Sequence, residues 1–145
     1  MATRQPPQWQ PLSMLATLGP HLDGMLEADQ EQYAALLEAK PKPYVLDNAT
    51  VDRVVRVYTT QRDELALFDE QLRRWKLMNP TGEQRAEITR LEQQMAALRQ
   101  VKTDVLTLAE ELRKGTIENI LAMDNAELGL RFLLGELPGQ GEKRG

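Results

Sequence analysis

The chain holds one histidine, His21, and no cysteine, so acid–base and thiol chemistry have little to draw on. Without cysteine there are no disulfides, zinc ribbons, Fe–S clusters or thiol nucleophiles. No Gly-x-Ser-x-Gly turn stands ready to present a nucleophile to His21. That histidine, beside the Gly19-Pro20 pair, reads as an exposed or capping residue. Asp23, Glu27 and Glu31 step along one helix face at four-residue spacing, a pattern that could hold a metal or share a proton. The carboxylate-bridged metal sites of helical bundles also need Glu-x-x-His, which is absent, so a solvated acidic face is expected. "NPTGEQ" (Asn79 to Gln84) lacks the Gly-Lys-Ser/Thr ending of a phosphate loop and reads as a turn. The expectation is therefore no catalytic, cofactor-binding or metal site, and a non-enzymatic chain.

Arginine is the other chemistry-bearing residue type. Arg53, Arg56 and Arg62 lie close in sequence, and Arg73, Arg74 and Lys76 follow. A basic stripe could grip a phosphate backbone, and a DNA-associated regulatory or accessory factor using Arg53, Arg56 and Arg62 is the alternative reading. Asp52, Asp63, Glu64, Asp69 and Glu70 interleave with both trios. The net charge is −4 with pI ≈ 5.1, and no long segment is basic. Nucleic acid is thus not the expected partner, and a mixed solvated face is.

The elements that would position these groups are helical. Hydrophobic residues make up 41% and charged residues 28% of 145, as in a soluble globular domain. Leu, Ala, Glu, Gln and Arg, all strong helix formers, abound. Residues 1–10, with Pro6, Pro7 and three glutamines, read as a disordered or extended lead-in. A helical stretch starts near Leu12, with Ser13 a candidate cap, and Gly19-Pro20 breaks or restarts it. Leu22, Leu26, Tyr33, Leu36 and Leu37 then share a face as far as Ala39, interrupted by Asp29. "KPKP" (Lys40 to Pro43) forms an extended spacer.

Asp47 can cap the next helix, with Leu46 and Val51 as a hydrophobic staple. Val51, Val54, Tyr58, Gln61, Leu65, Phe68, Leu72 and Trp75 alternate by three and four, a heptad seam. Pro80 and Gly82 mark a turn, and Thr81 with Gln84 matches a capping box. The following helix carries Ile88, Leu91, Met95, Leu98, Val101, Val105, Leu108 and Leu112. Its doubled three-residue step at Val101 resembles a stammer. Folding about residues 80–81 makes facing positions sum to about 161. Leu72 then meets Ile88, and Lys102 meets Tyr58 or Val57. Gln61 and Lys102 are the polar residues in the seams, set either to fix register or to snorkel outward. Gly115 ends the second long helix and Thr116 can cap a short one.

The expected fold is all-α: a long antiparallel hairpin (about 47–78 and 82–114), bundle or coiled-coil-like. An N-terminal helix (about 20–39) and short C-terminal helices (117–123 and 125–134) cover it. Residues 11–137 form one domain and 138–145 a disordered tail. The length of the hairpin against the shortness of its covers favours a homodimer. The C-terminal apolar stretch either caps the bundle or engages a partner, and its interaction candidates are Leu128, Leu130, Phe132, Leu133, Leu134 and Leu137. The chain reads as an interaction, accessory or adaptor protein with an unidentified protein partner. No apolar run is long enough for a membrane span, and no secretory signal precedes the domain, so a cytoplasmic location is expected.

Overall fold

The structure is a computed structural model that describes residues 6–122 and 125–135, without the side chains of residues 125, 126 and 128. A 3-10 turn at Leu12–Met14 leads into α1 (Leu15–Ala39), and another at Pro43–Val45 leads into α2 (Asn48–Lys76). Then come α3 (Gly82–Arg113), α4 (Ile117–Leu121) and α5 (Asn125–Leu133), with no strand among the described residues. α2 and α3 are antiparallel, and α1 packs along α3 as extensively as α2 does. The cross-helix bonds give the directions. Asp23 and Asp29 of α1 reach Arg90 and Lys102 of α3, so those two run parallel. Asp52 and Lys76 of α2 reach Arg113 and Glu92, so α2 runs the other way. The result is an up–down–up three-helix bundle with α3 at its centre.

The local signals act largely as the sequence suggests. Asp47 Oδ1 accepts the Thr50 N–H at 2.7 Å, and Val51 beside Leu46 is buried. Thr81 and Gln84 form the reciprocal capping box, at 2.8 and 3.1 Å. Asn79, at φ 53, supplies the left-handed residue of the turn, a conformation that asparagine tolerates better than most.

Four local expectations are corrected. Ser13 makes no capping bond. Gly19-Pro20 does not break α1. Pro20 lies inside the helix and Ala16, whose carbonyl loses its partner, is exposed to water. Gly19 is buried because the Glu87 carboxylate lies where its Cβ would be. Thr116 does not cap α4 with its side chain; its hydroxyl donates instead to Asn48 Oδ1 at 2.6 Å. Gly115 is not a left-handed stop. It is required because the Pro43 ring occupies the space a Cβ would need.

The α3 seam is also corrected. Lys102 and Ala109 are buried at 0% and 1% exposure, whereas Val101 is only half-buried. The buried line therefore runs Ile88, Leu91, Met95, Leu98, Lys102, Val105, Ala109, Leu112, with Leu108 buried beside it as expected. That is an unbroken three–four alternation with no stammer. α1 has its own: Leu15, Gly19, Leu22, Leu26, Asp29, Tyr33, Leu36, all buried or half-buried. Leu37 is exposed instead. α1 runs unbroken from Leu15 through Pro20 instead of restarting there, so it covers the seam of the hairpin along most of its length. The cover of that seam is in the same chain.

At the α1–α2 loop end, α4 is stitched down. The Ile117 N–H donates to the Leu46 carbonyl at 3.0 Å, and the Asn48 N–H donates to the Glu118 carboxylate at 3.1 Å. Asn119 Nδ2 donates to the Arg113 carbonyl at 2.7 Å. Pro43 against Gly115 completes this end. Gly115→Ala forces a methyl into the proline ring and is expected to cost about 1–3 kcal/mol, as overpacking does. Gly24→Ala, in open space on α1, is expected to stabilise by up to about 1 kcal/mol. Urea unfolding of both variants checks the pair. A neutral Gly115→Ala would mean that the Pro43 contact is not held in solution.

Candidate functional site

Among the described residues, the only charged side chains in the core meet at one level of the bundle. Asp29 comes from α1, Gln61 from α2 and Lys102 from α3, and each interrupts its own helix's apolar seam. Lys102 Nζ donates to Asp29 Oδ2 at 2.7 Å and to Gln61 Oε1 at 2.9 Å, and lies 5.2 Å from the centre of the Tyr58 ring. The Lys102 and Asp29 side chains are 0% and 4% exposed. Lys102 thus does not snorkel; its ammonium is satisfied inside the protein. Lys102 meets Tyr58 as the turn centre predicts, and Gln61 with Lys102 sums to 163, two beyond the expected 161.

This layer divides the apolar core in two. One cluster holds Leu15, Leu22, Leu65, Leu72, Trp75, Ile88, Leu91, Met95 and Leu98, and the other holds Leu36, Tyr58, Val105, Leu108 and Leu112. Burial raises the Tyr58 phenol above its ordinary 10.0, and the neighbouring Asp29 charge and a hydrogen bond to Asp29 push it further. No buried side-chain nitrogen or oxygen among the described residues lacks a partner. Lys102 and Asp29 are closed off from water while Gln61 is half-buried, so the layer ties the three helices together at one level.

The acidic face expected on α1 is partly engaged. Arg90 and Gln94 bind Asp23, and their hydrogen bonds hold its carboxyl below the usual range. Glu27 and Glu31 are exposed. Among the described residues no three His, Asp or Glu side chains gather as a metal site. His21 is exposed, its ring 6.1 Å from that of Phe68. The six basic residues of α2 do not form one stripe. Arg73 and Arg74 share Glu70, and Lys76 reaches Glu92. Arg53, Arg56 and Arg62 are exposed. Arg53 and Arg62 are nine residues apart, at about 100° per residue, so they point to opposite sides of α2.

Of the six C-terminal candidates, Leu130, Phe132, Leu133 and Leu134 are 59%, 48%, 80% and 65% exposed. The Leu128 side chain and Leu137 lie outside what is described. α5 makes no more than marginal contact with the other elements, so its described apolar residues do not cap the bundle. Two features went unread in the sequence. Trp9 and Gln10, within the lead-in read as disordered or extended, are held against Arg74, Gln71 and Trp75 of α2. An aromatic residue in an otherwise polar lead-in was the one available signal. The chain matches no family model, no curated protein and no solved structure.

Two outcomes follow from the layer. Lys102→Met strands the Asp29 carboxylate and is expected to cost about 3–5 kcal/mol, whereas Asp29→Leu with Gln61→Leu and Lys102→Met restores at least wild-type stability. Chemical denaturation of single and triple variants tests this, and additive losses would refute it. Tyr58 keeps its proton in the folded state at a pH where the unfolded chain gives it up. Its contribution is therefore complete below about pH 10 and is lost as pH rises beyond it. The urea midpoint should fall more steeply between pH 9 and 11 in the wild type than in Tyr58→Phe.

Proposed function

We propose that this protein is a non-enzymatic helical interaction protein, an accessory or adaptor subunit, that engages another protein through α5. The observation that carries this reading is three large apolar side chains standing in water on one nine-residue helix, Leu130, Phe132 and Leu133, with a fourth, Leu134, directly after it. Full burial of each such side chain is worth about 1.5–3 kcal/mol, which favours a state in which a partner surface covers them. A rigid bundle with a satisfied interior suits a scaffold, because it holds its shape while one element docks. The helix-in-groove mode fits best, with α5 laying its apolar residues into a hydrophobic groove. A second copy of the chain is the simplest such partner, and a different protein is the other. No helix among the described residues is long and apolar enough to cross a membrane.

The test is association. Sedimentation across a concentration series reads self-association, and crosslinking in the native cell followed by mass spectrometry reads a foreign partner. Leu130→Glu with Leu133→Glu is expected to abolish whichever association is found, at least tenfold in Kd. Its helical content and urea midpoint should stay near wild type, because both positions are exposed. Association that persists undiminished in this variant would remove α5 from the reading. Substrate turnover lost on changing His21 would remove the non-enzymatic reading itself.

A further inference from the structure

A second surface, at the opposite end of the bundle, already holds a peptide. Residues 6–11 run without helix across α2, and Pro11 is extended at φ −67, ψ 158. Gln71 is 7% exposed and spends its whole amide on one residue of that segment. Its Oε1 accepts the Gln10 N–H at 2.7 Å, and its Nε2 donates to the Gln10 carbonyl at 3.4 Å. Trp75 Nε1 donates to the same carbonyl at 2.9 Å. Both main-chain groups of Gln10 are thus read by helix side chains, much as a neighbouring strand would read them. Main-chain recognition is indifferent to sequence. The selective contact is the Trp9 ring, which lies 4.4 Å from the Arg74 guanidinium as a cation–π pair. Pro6 and Pro7 precede it and favour an extended chain, which lowers the entropy lost on docking.

The segment does not fill the space in which it sits. Between it and the helices lies a groove of about 390 Å³, walled by Leu18 and His21 of α1 and by Leu67 and Phe68 of α2. We propose that this groove between α1 and α2 is a binding site for an extended, proline-rich peptide bearing an aromatic residue, and that residues 7–10 cover it in cis until such a peptide displaces them. The docked segment itself shows the chemistry required. It offers one free N–H and carbonyl for Gln71 and Trp75, an aromatic ring one residue before them for Arg74, and a backbone already extended. The site is separate from α5, so the two stand or fall independently.

The probe is a fluorescein-labelled synthetic peptide of residues 5–13, QPPQWQPLS, read by anisotropy against the full chain. Trp9→Ala with Gln10→Pro weakens the resident segment and leaves the α1 and α2 walls of the groove unaltered. The first change removes the ring over Arg74, and the second removes the N–H that Gln71 accepts. This variant is expected to bind the peptide at least tenfold more tightly than the wild type. Adding Gln71→Leu should lose that gain, and a peptide with its tryptophan changed to alanine should bind at least fivefold more weakly. Equal binding by wild type and variant, no binding by either, or binding that survives Gln71→Leu would overturn the proposal. Hydrogen exchange in the unaltered protein gives a readout free of variants. Saturating peptide should strip protection from the Gln10 amide, and unchanged protection would count against displacement.

Discussion

An ammonium removed from water must have an anion beside it, and in this protein that need decides how three helices line up. Asp29, Gln61 and Lys102 each occupy a seam position of their own helix, and only one alignment brings them together. If α1 slides by one heptad, Leu22 or Leu36 stands where Asp29 should be. If α2 slides by one heptad, Val54 or Phe68 replaces Gln61. Either shift keeps apolar residues against apolar residues and would be tolerated by packing alone. It would also leave Lys102, Asp29 or both buried without their partners, at a cost of several kcal/mol. Leucine at all three positions would give a core at least as stable, with less to tell one alignment from the next. The layer's contribution is thus to uniqueness more than to stability.

From that level the bundle is finished differently in its two directions. Towards Trp75 the chain closes its own end with Gln10 and Trp9, main-chain groups meeting the side chains of α2. Towards Leu112 it closes with α4, whose Glu118 caps the start of α2 and whose Asn119 satisfies the Arg113 carbonyl. Both ends use polar side chains to satisfy backbone that a loop would otherwise leave to water. α5 lies beyond the second closure and makes no more than marginal contact with the helices that form it. Its exposed leucines and phenylalanine are therefore free of any duty to the fold, which is the basis for reading them as a contact surface.

Much of this was legible in the residues. The α2 seam, the capping box at Thr81 and the hairpin came from spacing and local hydrogen-bonding chemistry, which act over a few residues and leave their mark in sequence. The polar layer was half legible. Asp29, Gln61 and Lys102 each stood out as an interruption, but their meeting depends on the relative height of three helices, and a turn centre locates that only to within a couple of residues. Drawing the apolar line through Val101, beside Lys102, created the apparent stammer. The continuity of α1 through Gly19-Pro20 and the docking of Gln10 were not legible. Glycine followed by proline reads as a break when the neighbouring Glu87 is out of view, and main-chain recognition by Gln71 leaves no signature in the residue it binds.

The aromatic residues are parted by the same layer. Both tryptophans of the chain, Trp9 and Trp75, sit at the end where the N-terminal segment docks. All three tyrosines lie on the other side: Tyr33 and Tyr58 with the second apolar cluster, Tyr44 in the loop beside it. Indole emission therefore observes one half of the molecule and phenol absorbance the other. Nature has, in effect, fitted each half with its own optical label, so a loosening confined to one of them would show in a single colour.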